Sequence, residues 1–186
     1  MRNVRTIALV LFVLILIPGL ALAGDRKIGL GYQGVIMGSF LQGVSARGWV
    51  QDNVAWELTL AYANGELDMK TAGKEDADVF DMAGKILYSP IVKEQSRFYV
   101  GLEAGYGVAN ASQTASGAKV DGDATFWTIG PLFGVEYWFK ELPELGFCWE
   151  VGYRYNSGTV EVDGVTEDMD LDLHGISVGL GMHYYF

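Results

Sequence analysis

Apolar and polar residues alternate along most of the chain, and the alternation has the period of two that β-strands produce. The clearest stretch is Phe147–Tyr155, where aromatic or aliphatic side chains at odd positions alternate with small, polar or charged ones at even positions. The same pattern recurs over Val54–Ala63, Phe98–Val108 and Ile176–Phe186. Beyond the N-terminal segment no helical period is visible. The pattern therefore predicts an all-β protein.

The alternating stretches predict eight strands joined by connections of two kinds. The predicted strands are Arg26–Val35, Phe40–Val50, Val54–Asn64, Asp78–Ser89, Ser96–Ala109, Asp123–Phe139, Gly146–Ser157 and Met169–Phe186. Short turns are predicted at Gln51–Asn53, Pro90–Gln95 and Lys140–Leu145, and longer polar loops at Gly65–Ala77, Asn110–Gly122 and Gly158–Asp168. The first connection, Ile36–Ser39, is short and partly apolar. Short turns at one end and longer loops at the other are typical of an up-and-down membrane barrel, whose strands need about 9–11 residues each.

The first 23 residues have the pattern of a cleavable signal peptide rather than of a strand. Arg2 and Arg5 form a basic start, Ile7–Ile17 is an uninterrupted apolar run, and Ala21–Ala23 is a small-x-small cleavage site. The alternative is a membrane anchor, for which the run is short, since a spanning helix needs about 20 apolar residues. We expect cleavage after Ala23, which leaves residues 24–186 as the folded domain.

The composition of the two strand faces distinguishes a membrane barrel from a soluble, lipocalin-like one. A soluble barrel would place its large apolar residues inside. Here one face carries large, often aromatic residues, while the other is rich in the chain's 25 glycines with isolated charges, which suits the crowded lumen of a small barrel. In lipid a sheet must close so that every backbone group is bonded. The aromatic residues also fall near both strand ends, as in two interfacial girdles. We therefore predict an eight-stranded antiparallel up-and-down transmembrane β-barrel.

Charge and cysteine content exclude several kinds of function. The net charge is −10, the opposite of what nucleic-acid binding requires. The single cysteine, Cys148, allows neither an intramolecular disulfide nor a cysteine-built metal site. The acidic segments Asp121–Asp123 and Glu161–Asp172 have carboxylates that could bind divalent cations, but they have no EF-hand spacing. We interpret them as solvated loop surfaces and predict no metal site. No cofactor is predicted.

The chain resembles the small eight-stranded outer-membrane barrels of Gram-negative bacteria, such as the OmpX and Ail group and the membrane domain of OmpA. The resemblance is carried by the signal segment, the repeated hairpins and the last strand, Ile176–Phe186, which alternates and ends in phenylalanine. It implies location in the outer membrane, contact with its lipids and lipopolysaccharide, and recognition by the outer-membrane assembly machinery through the strand ending in Phe186. A monomer is expected.

No constellation of catalytic residues is apparent. His174 and Ser177 lie three apart on the last predicted strand, and residues three apart in a strand point to opposite faces. The lipid A deacylase barrels carry a closely spaced histidine and serine on one strand, and that spacing is not reproduced here. His183 is expected to face the lumen as a hydrogen-bonding residue. Pro131 cannot donate a ladder bond, so we predict a bulge or kink in the sixth strand.

The luminal charges are the most informative polar residues. By alternation they are Arg47, Glu57, Lys85, Glu103, Glu136, Glu150 and Arg154. Asp81 shares their parity but lies near the outer mouth and is left out of the set. Counting outward from a hairpin centred on Asp52 makes Val50 oppose Val54 and Arg47 oppose Glu57. Buried charges need partners, so these residues are expected to fill the barrel with ion pairs. OmpA has a similar luminal network that is associated with gating.

The sequence thus favours a non-enzymatic outer-membrane protein with a structural or surface-interaction role. A narrow, gated ion or small-solute pore is the first alternative, and a lipid-modifying enzyme is the second. The short turns are expected to face the periplasm and the long loops the outside.

Overall fold

The computed structural model describes residues 28–37, 42–69, 73–115, 118–162 and 169–186. They form eight strands: β1 (Ile28–Met37), β2 (Gln42–Gln51), β3 (Val54–Met69), β4 (Gly73–Val92), β5 (Ser96–Ala115), β6 (Ala118–Phe139), β7 (Leu142–Val162) and β8 (Met169–Tyr185). Each strand pairs antiparallel with the next in sequence, and β8 pairs with β1 to close the barrel. The predicted eight-stranded antiparallel fold is confirmed. The predicted signal segment, 1–23, lies outside the described residues.

The alternation sorts side chains between the outside and the inside of the barrel as predicted. On β4 and β5 the outward Ile86 and Leu102 are 71% and 63% exposed, whereas the inward Leu87 and Tyr99 are completely buried. Outward aromatic rings meet edge to face, with 5.7 Å between the centroids of Phe139 and Phe147. The apolar surface is thus on the outside, where a lipid bilayer would cover it. Within the described part of the chain, no helix has the length and hydropathy to cross a membrane.

Three tight turns lie at one end of the barrel, which we call the turn end. They join β2 to β3 at residues 52–53, β4 to β5 at residues 93–95, and β6 to β7 at residues 140–141. The register between β2 and β3 pairs Arg47 with Glu57, as the count from the turn predicted. The predicted Val50–Val54 pair is wrong, because a bulge at Val50 makes Gln51 the partner of Val54.

At the other end, which we call the loop end, the strands run much farther than predicted. The predicted loop Gly65–Ala77 is mostly strand, because β3 continues to Met69 and β4 begins at Gly73. Residues of the predicted loops Asn110–Gly122 and Gly158–Asp168 likewise belong to β5, β6 and β7. Residues 36 and 37 of the predicted first connection belong to β1, and residues 38–41 lie outside the described chain.

Pro131 does not produce the predicted bulge. The register between β6 and β7 is the same on both sides of it, with Ile129 paired to Tyr155 and Leu132 to Gly152. The ladder is merely interrupted between these pairs. At Gly130 a Cβ atom would lie 2.0 Å from the carbonyl oxygen of Tyr153. The glycine beside the proline therefore lets the two strands approach closely, and the faces stay in phase across the missing bond.

Candidate functional site

A row of charges of alternating sign crosses the inside of the barrel near its turn end. Arg47 on β2 pairs in register with Glu57 on β3, Glu57 with Lys85 on β4, and Lys85 with Glu103 on β5. Directly opposed residues in antiparallel strands have Cβ atoms about 4.5–5.5 Å apart. Four consecutive strands therefore each contribute one inward charge to a single row, and each charge has neighbours of the opposite sign.

Arg47 lies at the centre of this arrangement and is completely buried. Its Nε donates to Glu57 Oε2 at 2.6 Å, and its Nη2 donates to Glu150 Oε1 at 3.0 Å. A third carboxylate, Glu136, places Oε1 3.4 Å from Nη1. The Tyr99 ring lies under the guanidinium, 5.0 Å from centroid to Cζ. One arginine therefore joins carboxylates from β3, β6 and β7 across the barrel.

Lys85 makes a second bridge between the same walls. Its Nζ donates to Glu57 Oε1 at 2.8 Å and to Glu150 Oε2 at 2.6 Å. Glu103 Oε2 lies farther away, at 3.9 Å. Glu150 also accepts from Tyr99 Oη at 2.8 Å and from Gln33 Nε2 at 2.5 Å. The two carboxylates that share Lys85 are thus almost fully hydrogen-bonded, as burial demands.

Glu136 has two neighbours that were not predicted from the sequence: Tyr185, which bonds to it, and Arg97, which interacts with it electrostatically. Tyr185 Oη donates to Glu136 Oε1 at 2.6 Å. Arg97, which pairs in register with Glu136, lies flat on the Trp49 ring with 3.6 Å between its Cζ and the ring centroid. Arg97 has the inward parity of Tyr99, so alternation could have found it. Its position beside a turn gives no further sign of burial.

Arg154 and Glu103 form a separate pair nearer the loop end. Arg154 Nη2 lies 2.8 Å from Glu103 Oε1 and donates to Oε2 at 2.9 Å. The Arg154 side chain is 20% exposed, so this ion pair is more accessible to water than the ion pairs of Arg47. Asp81, left out of the predicted luminal set because it lies near the mouth, interacts electrostatically with both residues. One of its oxygens, Oδ1, is buried without a hydrogen-bond partner among the described residues.

Glycines on the inner wall make room for the large luminal side chains. At Gly134 a Cβ atom would lie 2.7 Å from Cζ of Tyr99, and at Gly146 it would lie 2.8 Å from Glu136 Oε1. Between the Arg47 cluster and the Arg154–Glu103 pair, one small cavity of about 20 Å³ is lined in part by Gln33, Glu150 and Arg154. A space of that size accommodates about one water molecule. The described part of the lumen is therefore packed at this level.

One known protein family matches almost the whole chain. The family described as "Outer membrane protein beta-barrel domain" matches residues 17–184. The chain belongs to this family. The outward apolar surface of this outer-membrane barrel is accordingly its lipid-facing surface, and the protein is located in the bacterial outer membrane.

Solved outer-membrane proteins are similar to the chain at low sequence identity, while no curated protein matches it. A major outer membrane protein from Thermus thermophilus is 12% identical with a TM-score of 0.58, covering 86% of this chain and 98% of that one. Neisserial surface protein A is 18% identical with a TM-score of 0.46, covering 88% and 100%. Ail of Yersinia pestis is 15% identical with a TM-score of 0.46, covering 86% and 95%. The likeness to the Thermus structure supports the eight-stranded barrel fold.

The histidines of this outer-membrane barrel lie apart from one another. His174 points outward, where its Nδ1 lies 2.6 Å from Tyr153 Oη, whereas Ser177 is buried on the inner face. His183 lies inside, with Nε2 2.8 Å from Ser45 Oγ. In the described ranges no group of three or more His, Cys, Asp or Glu side chains is arranged to hold a metal ion. Of the predicted acidic segments, 163–168 lies outside those ranges.

Proposed function

We propose that this protein is a non-enzymatic component of the outer membrane, with a structural or surface-interaction role, whose lumen is closed by paired charges. The observation that carries the proposal is the burial of Arg47 among Glu57, Glu136 and Glu150. Such a cluster links strands on opposite sides of the barrel and occupies the space through which ions would pass. Membership of the barrel family agrees with this role.

The lipid-modifying alternative has little support from the arrangement of nucleophiles. A serine–histidine contact exists between Ser45 and His183, the kind of contact on which nucleophilic catalysis depends. However, Ser45 is 4% exposed and His183 is completely buried. Glu57 and Glu136 each lie 4.0 Å from the His183 ring, so the imidazole is part of the luminal packing. A lipid substrate would have no access to this hydroxyl.

Planar-bilayer conductance tests whether the lumen is closed. We expect the wild-type protein to remain closed at low voltage. Glu150→Ala removes the carboxylate that Arg47, Lys85 and Tyr99 share, so this variant should conduct measurably. Glu161→Ala, which changes an exposed acidic residue near the loop end, is the matched control and should behave like wild type. Steady conductance from the wild-type protein would contradict the closed lumen and favour the pore.

A gated ion path is the second candidate, and the position of Lys85 favours it. Lys85 bonds to Glu57 and Glu150 while Glu103 lies 3.9 Å away, so a small shift of its ammonium exchanges partners. If this exchange opens the lumen, the wild-type protein should show transient openings in the bilayer. Glu103→Gln removes the charge of the second partner of Lys85, so it should reduce the fraction of time that the lumen is open. If openings are unchanged in Glu103→Gln, this gating route is wrong.

The proposed partners are lipids and the assembly machinery. The outward apolar face would contact acyl chains and, in the outer leaflet, lipopolysaccharide. Phe186 has an exposed ring, and its N–H donates to the Ile28 carbonyl at 3.0 Å, so it pairs across the seam between β8 and β1. We propose that the assembly machinery recognises this terminal strand before the seam closes. Deleting Phe186 should lower the amount of heat-modifiable, folded barrel in outer-membrane fractions.

A further inference from the structure

Near the loop end the pattern of the strands inverts. We call residues 63–69, 73–79, 109–115, 118–126, 157–162 and 169–174 the extension. The outward side chains that the structure describes there are polar or acidic, and they include Asn64, Asp76, Asp78, Asn110, Asp123, Glu161, Asp170 and Asp172. Its inward positions carry Ala63, Val79, Ala109, Ala124, Phe126, Val160, Leu171 and Leu173. Apolar inside and polar outside is the arrangement of a water-soluble barrel, so the extension lies beyond the lipid.

The extension encloses a cavity of about 450 Å³, which we call the cup. It is lined by residues of β3 to β8, among them the inward side chains of Phe126, Leu171 and Leu173. These two leucines are 46% and 55% exposed, although they face the interior. Binding sites for small molecules are typically concave, largely apolar and about 300–1,000 Å³ in volume. The cup has that size and that lining.

The polar groups at the base of the cup have a net negative charge. Arg154 and Asp81 both line it. Arg154 is already neutralised by Glu103, with N–O distances of 2.8 and 2.9 Å. Asp81 is left without a cationic partner of its own, and its buried Oδ1 has no hydrogen-bond partner among the described residues. A buried carboxylate oxygen in that state is costly unless a donor reaches it. A ligand that supplied a cationic donor there would be favoured.

We propose that the cup is a binding site for a small amphipathic cation, an apolar body with an ammonium group. The apolar body lies against Phe126, Leu171 and Leu173, and the ammonium donates to Asp81. The acidic outer surface of the extension, which includes Asp78 and Asp123, would raise the local concentration of cations. An anionic amphiphile of the same length lacks the donor and is repelled by both the base and the surface.

The test uses residues 24–186 in lipid nanodiscs. The leucines are methyl-labelled, and the protein is titrated with n-octylammonium. The methyl resonances of Leu171 and Leu173 should shift saturably. Octylammonium also partitions into the lipid, and empty nanodiscs measure this partitioning. The methyl resonances of Leu180, which faces lipid, should shift only in proportion to it. Octanoate and octanol are the matched anionic and neutral probes, and both should bind more weakly. No shift at Leu171 and Leu173, or octanoate binding as tightly as octylammonium, would overturn the proposal.

Three variants separate the effect of the charge at the base of the cup from the effect of its volume. Asp81→Asn keeps the side-chain shape and should weaken octylammonium binding by about tenfold or more, as expected for loss of a charge-assisted hydrogen bond. Asp78→Asn, on the outward face of the same strand, should stay within about twofold of wild type. Ala109→Phe fills the cup and should abolish binding, with folding checked by heat-modifiable gel migration. Unchanged affinity in folded Asp81→Asn and Ala109→Phe would refute the site.

Discussion

At the scale of single residues, the lumen shows why a buried charge depends on all its partners. The parity of alternation selected seven inward charges, and the structure places each of them inside the barrel, with Arg47, Glu57 and Glu136 almost inaccessible. The alternation shows which face of the strand a side chain lies on, but not how far the side chain extends across the lumen. That Arg47 extends to Glu136 and Glu150 on the far wall depends on Gly134 leaving room for Tyr99. This information is distributed over four strands, so no local motif contains it.

The Arg47–Glu57 contact should be strongly coupled in a double-mutant cycle. Arg47→Met leaves three carboxylates without their arginine, so it should lower the free energy of unfolding by about 3–5 kcal/mol, which is more than Glu57→Gln should cost. The double variant should cost less than the sum of the two single ones. Urea unfolding in lipid measures all three variants.

The matched control is the Arg154–Glu103 pair, which combines the same residue types in the same lumen. Because the Arg154 side chain is 20% exposed, its coupling should be clearly smaller. Additive effects of Arg47→Met and Glu57→Gln would mean that their contact contributes nothing specific to stability.

At the scale of the elements, the sequence predicted the number and order of the strands but not their length. The missed segments are polar and contain glycines, among them Gly65, Gly73, Gly122 and Gly158, and such composition usually indicates loops. The period of two nevertheless continues there with the opposite sign, as in Thr159, Val160, Glu161 and Val162 of β7. Outside the lipid the outward face no longer needs to be apolar. Strands that are predicted from large outward residues alone are therefore too short at the loop end, as β3, β5 and β7 are.

Arginine substitutions along β8 should locate that edge. Leu180 and Asp170 both point outward from β8 and are exposed, but only Leu180 is expected to contact acyl chains. Leu180→Arg should lower the unfolding free energy in lipid by about 2–4 kcal/mol if it lies near the midplane. Asp170→Arg should change it by less than about 0.5 kcal/mol, as for most surface substitutions. Equal effects of the two substitutions would contradict the proposed limit of the lipid band.

At the scale of the whole molecule, the barrel is taller than a bilayer requires. β6 has 22 residues, which at roughly 3.3 Å each span about 70 Å. With a tilt of about 40° the strand rises about 55 Å, whereas the apolar band of such barrels is about 25 Å tall. About half of β6 therefore projects beyond the lipid on one side. The girdle rings Tyr137 and Phe139 lie beside the turn end, so the projecting half is at the loop end.

The projecting half should face the outside of the cell, and cysteine labelling tests this orientation. Asp123→Cys lies on the exposed surface of the extension, and Lys140→Cys lies in an exposed turn. The native Cys148 is 3% exposed, so it should contribute little background. A membrane-impermeant maleimide added to intact cells should label Asp123→Cys but not Lys140→Cys. Both variants should react after permeabilisation, which confirms that each thiol is accessible. Labelling of Lys140→Cys in intact cells, with Asp123→Cys protected, would reverse the orientation and place the cup in the periplasm.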